Sequence, residues 1–226
     1  MSLSKSSGNN SSGFLSHMHT HLGGVCPHQC IYCYVTRMPW QHDKYKGPLR
    51  IIAKDLNIDY GEGRRIFVEH CNDLFAAEVP DAMIRQVLEH CGKYAKNTYL
   101  FHTKNPARYA DYLAAMPPDY ILGATAETNR PTTGISLAPA PLDRLVAMGE
   151  LTAKKLITVE PVLEFDVDPF VAALVAAKPD HVIVGADSKY RGLQEPGKVE
   201  LVALMDGLRA AGIDVWQKPN LDRLLK

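Results

Sequence analysis

Short apolar runs alternate with amphipathic stretches along most of the chain. The runs are His17–Val25, Ile66–Glu69, Thr98–Thr103, Tyr120–Thr125, Lys155–Glu160, His181–Gly185 and Ile213–Gln217. Their length and period-2 pattern predict β-strands. Between them, Asp81 (after Pro80) to about Tyr94, Pro106 to Ala115, Leu142 to Met148, Val171 to Ala177 and Val199 to Ala211 carry helical spacing. Residues 34 to 64 are mixed, with a break at Lys46-Gly47-Pro48, a short helix expected over Leu49–Leu56 and a turn at Tyr60–Gly63. A short helical tail follows the last strand.

Strands that alternate with helices imply a parallel sheet with right-handed crossovers. Seven units of roughly thirty residues account for nearly all of the 226 residues after the first few. A full eight-unit barrel takes about 250 residues. The expected fold is therefore α/β, a partial (β/α)6–7 TIM-like barrel of parallel strands that does not quite close. Residues 1–16, rich in Ser, Gly and Asn, read as a disordered leader, and 17–226 as a single domain.

Charge adds little and cysteine adds much. Twenty-five basic residues balance twenty-five acidic ones, so no bulk field draws the chain to nucleic acid or membrane. No apolar run is long enough to span a bilayer, and residues 1–13 lack the apolar segment of a secretory signal. A cytoplasmic monomer is expected. Three of the five cysteines fall within eight residues, in Cys26-Pro27-His28-Gln29-Cys30-Ile31-Tyr32-Cys33. That clustering suits metal binding in a reducing compartment better than a disulfide framework.

Three thiolates on one loop can converge on a soft metal centre. A cubane iron–sulfur cluster held by three cysteines keeps one iron open to a small molecule. Two other readings stand beside it. A structural zinc site would need a fourth ligand, which His28 or an N-terminal histidine could supply. An electron-transfer cluster would take Cys71 or Cys91 as its fourth cysteine. The first strand adds a rival, since His17, His19 and His21 alternate on one face. His-x-His at that place resembles the metal-dependent amidohydrolases.

Barrel sites lie at the C-terminal ends of the strands. The residues there are polar in an otherwise apolar pattern: Glu69 to Asp73, Thr103 and Lys104, Thr125 and Glu127, Glu160, Asp187 and Ser188, Gln217 and Lys218. Glu160 and Asp187 read as substrate contacts, as bases, or as partners of Lys104, Lys189 or Lys218. Arg130, Lys189 and Arg191, with Lys104 and Lys218, suggest a basic rim for a nucleotide or nucleic acid, which the acidic neighbours weaken.

The spacing C-x3-C-x-Tyr-C, carried by Cys26, Cys30, Tyr32 and Cys33, resembles the signature of the radical S-adenosylmethionine (SAM) superfamily. A closer likeness adds Asn72–Phe75, Thr103–Pro106, Leu122–Glu127, Val159–Val162 and Val184–Asp187. Together these resemble short radical SAM proteins first noted in phage genomes, whose reaction is undefined and which are distantly similar to spore photoproduct lyases. The resemblance implies a [4Fe–4S] cluster on Cys26, Cys30 and Cys33, whose open iron chelates SAM. One electron, from an external donor of flavodoxin or ferredoxin type, then cleaves SAM to a 5′-deoxyadenosyl radical that takes hydrogen from an unidentified substrate. It implies a barrel open at the side for substrate. It also places Asn72 and Asp73 at the SAM amino group, Lys104 at the carboxylate, Thr125 or Glu127 at the ribose and Tyr32 at the adenine. Cys71, just before Asn72, occupies a position comparable to that of the photoproduct lyases' hydrogen-donor cysteine. Cys91 reads as helix core.

Overall fold

The computed structural model describes residues 3–6, 14–37, 43–188 and 192–226. In chain order the strands are β1 (Ser4–Lys5), β2 (His17–His19), β3 (Leu22–Gly23), β4 (Arg50–Ile51), β5 (Arg65–Val68), β6 (Thr98–Thr103), β7 (Tyr120–Thr125), β8 (Lys155–Val159), β9 (His181–Val184) and β10 (Asp214–Gln217). Eight form one sheet in the order β1-β2-β5-β6-β7-β8-β9-β10. Every neighbouring pair is parallel except β1 with β2. The helices α1 (Asp81–Gly92), α2 (Pro141–Gly149), α3 (Val167–Ala176) and α4 (Lys198–Ala210) fill the crossovers, with a 3-10 helix at Pro106–Ala115.

Because sheet order follows chain order, each crossover steps the same way, and right-handed steps of that kind put their helices on one face. The strands divide accordingly. Ile66, Val68, Tyr99, Phe101, Leu122, Ala124, Ile157, Val159, Val182 and Val184 point into the main core with the helices. Their alternates Phe67, Leu100, Ile121, Leu156 and Ile183 form a second, smaller cluster on the other face. Register keeps each layer aligned: Phe67 sits opposite Leu100, and Thr158 opposite Ile183. A one-residue slip would move every one of these side chains to the wrong face.

Lys155 opens β8 with its side chain buried, and its Nζ donates to the carbonyls of Met148 (3.0 Å), Leu151 (3.0 Å) and Ala177 (2.7 Å). It thereby adds a donor to carbonyls at the C-terminal ends of α2 and α3, where a cation also suits the helix dipole.

Three expectations are corrected. Ser4–Lys5 pairs with β2 and Leu3 is buried, so this part of the supposed leader is built into the sheet edge; residues 1, 2 and 7–13 lie outside the described residues. The first strand ends at His19, and β3 leaves the sheet to pair antiparallel with β4. The short helix expected over Leu49–Leu56 divides into β4 and a 3-10 turn at Ala53–Asn57. Among the described residues no helix is long and apolar enough to cross a membrane.

The β3–β4 pair delivers the chain to the cysteine loop. Gly24 has φ +96°, and a Cβ there would stand 2.3 Å from the Pro48 carbonyl oxygen. Its amide donates to Lys44 O at 2.8 Å and that of Val25 to Gly47 O at 3.0 Å. Gly24→Ala therefore combines a strained backbone with a backbone collision, and is expected to cost at least about 2 kcal/mol in urea unfolding. A loss below about 0.5 kcal/mol would show that the 43–48 segment moves aside freely.

Candidate functional site

The loop from Cys26 to Cys33 is folded by its own turns and by a neighbour. The Gln29 amide donates to Cys26 O at 3.2 Å and that of Cys33 to Cys30 O at 3.0 Å. The Ile31 amide donates to Ile135 O and that of Leu137 to His28 O, which lashes the loop to the segment after β7. Cys26, Cys30 and Cys33 form no disulfide, are part-buried and line one cavity of about 830 Å³. Burial above all, then the Asp73 charge, pushes the Cys26 thiol up to about 12, and Cys30 and Cys33 add to the rise. Burial also raises Cys33. The three sulfurs are thus within electrostatic reach of one another.

Asp73 holds this loop against the sheet. Its Oδ2 accepts from His28 Nε2 (2.9 Å) and the Lys104 amide (2.7 Å), and its Oδ1 from the Thr103 hydroxyl (2.7 Å) and the Phe75 amide (3.0 Å). Burial alone would raise its pKa, but His28 foremost, then Thr103 and Lys104, hold it at about 2. Asp73 thus receives four donors from the chain and lines the cavity as well. Its neighbour Asn72 lines the cavity and donates from Nδ2 to Gly24 O at 3.2 Å.

A second buried carboxylate stands behind Tyr32. Glu127 accepts from the Tyr32 hydroxyl and, at 2.9 Å, from Arg144 Nη1, with Lys104 Nζ at 3.8 Å. Glu127 and Arg144 are each 1% exposed, and Glu127 does not line the cavity. Of the two residues the resemblance put at the ribose, Thr125 does line the cavity and accepts from Lys104 Nζ at 3.2 Å. Lys104 also lies 5.5 Å from the centre of the Tyr32 ring. Arg144 was invisible as a site residue. The one available signal was an arginine on the same helix stripe as Leu145 and Met148, a place that demands a buried partner.

Farther round, Glu160 accepts twice from Lys218 Nζ, at 2.8 Å each, which fulfils one of the pairings the sequence left open. Asp187 lines the cavity, its amide donating to Glu195 Oε1 at 2.8 Å. Cys71 is 4% exposed and also lines the cavity. Its sulfur lies 3.5 Å from the Tyr34 hydroxyl, its amide donates to Thr20 Oγ1, and burial raises its thiol. Cys91 is core in α1, as expected.

The histidine row serves the fold. His21 Nδ1 meets Glu69 Oε1 at 2.6 Å and its Nε2 the Tyr60 hydroxyl at 2.8 Å. His19 Nε2 is 3.2 Å from Asp55 O, and His17 Nδ1 is 2.9 Å from Ser16 Oγ. His28, the candidate zinc ligand, is taken by Asp73. Among the described residues no three His, Cys, Asp or Glu side chains gather as a site for a single metal ion. Three members of the expected basic rim have acidic neighbours: Arg130 pairs with Glu164 and Asp166, Lys218 with Glu160, and Lys104 stands 3.8 Å from the Glu127 that also holds Arg144. Lys189 and Arg191 lie outside the described residues.

A helix-faced, mostly parallel sheet with a three-cysteine loop and a cavity at its strand ends defines the α/β class of this protein. The chain belongs to the family described as "Protein of unknown function (DUF5131)", whose model matches residues 18–200. Its fold is similar to that of a cysteine-to-serine variant of spore photoproduct lyase, with a TM-score of 0.65 and 12% identity over 92% of this chain and 77% of that one. A further variant of that enzyme, with bound AdoMet and dinucleoside spore photoproduct, gives 0.54 at 14% identity over 88% and 63%. Streptococcus suis SuiB bound to S-adenosylmethionine gives 0.56 at 13% identity over 88% of this chain and 49% of that one, so the chain spans about half of SuiB. At these identities the likeness is one of fold. No curated protein matches the chain.

The Asp73 carboxyl titrates lower in the folded chain, at about 2, than its ordinary 3.8. A depressed carboxyl contributes stability that is present above the unfolded value and lost as pH falls toward the folded one. Asp73 should thus contribute about 2 kcal/mol at pH 6 that disappears between about pH 5 and pH 2. In urea titrations Asp73→Asn should be less stable at pH 6 and should lose less than the wild type on acidification. Parallel pH profiles for the two proteins would refute the assignment.

Proposed function

We propose that this chain is a radical SAM enzyme acting on a substrate still to be identified. What carries the reading is the set of three unbridged thiols in C-x3-C-x-Tyr-C spacing, on a loop anchored by Asp73 and facing a ligand-sized cavity. The donor set fits an iron–sulfur cluster: soft sulfur ligands, no disulfide, and a nearby histidine occupied elsewhere. Cys26, Cys30 and Cys33 would hold a [4Fe–4S] cluster, which with SAM supplies the one-electron cleavage that yields a 5′-deoxyadenosyl radical. The fold's likeness to a spore photoproduct lyase carrying AdoMet supports the same reading. On it, the sheet curls as a partial barrel left open between its edge strands β1 and β10, and an external one-electron donor of flavodoxin or ferredoxin type serves the cluster.

The chain's own residues then have separable tasks. Asn72 meets the amino group of SAM, while Lys104, held by Thr125, faces the carboxylate. Tyr32, fixed by Glu127, borders the adenine. Thr125 takes the ribose, and Glu160 and Asp187 face the substrate side. Cys71 supplies a hydrogen atom to a substrate radical: its S–H bond breaks, a C–H bond forms and the sulfur keeps the unpaired electron. Burial suits this task, because it keeps the thiol protonated.

Anaerobic reconstitution should load about four irons and four sulfides per chain, and dithionite with SAM should then yield 5′-deoxyadenosine. Cys30→Ala should lose both. Stoichiometric zinc without labile sulfide would sink the reading. Cys71→Ala is expected to keep the full iron load, since its sulfur stands against Tyr34; loss of iron there would make it a ligand instead.

A further inference from the structure

Below the charged strand ends the cavity changes character. Its lining there comes from the inner face of the sheet: Phe67, Leu100, His102, Leu156, Thr158 and Ile183. His102 stands one residue before the end of β6 and is the lone titratable group of this layer. It is also a seated group rather than a stray one. Its Nε2 lies 3.0 Å from Thr158 Oγ1, and the Phe67 ring meets it edge-on, with centres 5.9 Å apart. Gly123 on the adjacent strand leaves room for the ring, since a Cβ there would come within 2.5 Å of His102 Cδ2. Burial foremost, then the Lys104 charge, pushes its pKa down to about 3, so the ring is neutral. No side chain or carbonyl among the described residues bonds to Nδ1.

The charges above this layer are of both signs. Lys44 pairs with Asp55 and Lys218 with Glu160, Lys104 stands 3.8 Å from a Glu127 that also holds Arg144, and the carboxylates Glu69, Asp73 and Asp187 line the same cavity, while Lys5 is exposed at the sheet edge. An anion pushed to the level of His102 would lose its water and meet the charges of Asp73 and Glu127 as well as that of Lys104, an unfavourable exchange. A neutral flat ring would lose little and bury apolar area against Phe67, Leu156 and Ile183.

We propose that this floor is the substrate subsite, that it takes an uncharged planar ring bearing one amide-like edge, and that His102 Nδ1 is the group that reads that edge. The proposal deepens the radical SAM reading, on which the word substrate rests. Thr158 can accept from Nε2 or donate to it, so Nδ1 meets the ligand as acceptor or as donor. An amide edge offers both.

Fluorine NMR on the full chain tests this with three probes that share one fluorinated ring: 4-fluorobenzamide, 4-fluorobenzoate and fluorobenzene. The amide should bind saturably and at least about tenfold tighter than the benzoate. His102→Phe keeps a ring in place but removes both nitrogens, and should erase the preference for the amide over fluorobenzene. Ile183→Trp fills the floor and should abolish binding of both. Benzoate binding as tight as the amide, a preference that survives His102→Phe, or binding indifferent to Ile183→Trp would each overturn the proposal. Should His102→Phe fail to fold, the amide-to-benzoate ratio and Ile183→Trp still decide it. The probes need neither iron nor SAM. Binding as described in a chain that fails to cleave SAM would remove the radical reading and leave a neutral-ring site. SAM cleavage without saturable probe binding would remove the subsite alone.

Discussion

A carboxylate buried at a strand end must find its donors within the chain, and three such groups organise this protein. Glu69, Asp73 and Glu127 are 2%, 6% and 1% exposed. Asp73 is the one on which the site depends. It joins the end of β5 to the Thr103–Lys104 turn after β6 and, through His28, to the cysteine loop. Glu69 does similar work nearby, accepting from the amides of His21 and Leu22 and from the His21 ring just before the chain turns into that loop. Removing one partner of such a buried set leaves an uncompensated charge and costs about 3–5 kcal/mol. The cysteine loop is therefore placed by interactions among residues that need not touch the chemistry themselves.

The sheet was legible because its signal is local. Period-2 runs such as Ile66–Val68 and His181–Val184 announce strands whatever surrounds them, and the intervening helical stretches imply parallel pairing. Short elements were less legible. Two-residue pairs such as β3 with β4 carry no period, and Ser4–Lys5 looks like any polar leader until β2 offers it an edge. The segment Pro106–Ala115 read as helical and is wound as 3-10, a distinction the apolar spacing does not carry.

The site divides along the same line. Cys26, Cys30 and Cys33 could be found because their meaning lies in spacing along the chain. His28 with Asp73, 45 residues apart, and Glu127 with Arg144, 17 apart, could not, because their meaning is a pairing made by folding. The resemblance to radical SAM proteins assigned Asp73 and Glu127 to a ligand. In the folded chain both hold other residues, Glu127 outside the cavity lining and Asp73 within it.

This internal pairing also bears on what the cavity can admit. Had Lys44, Lys104 and Lys218 been unpaired, their field would favour an anionic guest. With Asp55, Glu127 and Glu160 beside them and Glu69, Asp73 and Asp187 in the same lining, they leave a rim of mixed charge above an apolar floor. On the radical SAM reading, SAM brings an ammonium, a sulfonium and a carboxylate, a net cation that would find both signs of charge at this rim. The floor asks for the opposite, a neutral group that loses little on leaving water. The boundary between the two layers runs through His102 and Thr158. On the proposed reading, that polar, uncharged pair would separate a charged reagent above from an uncharged reactant below, and so dispose the two for contact across one cavity.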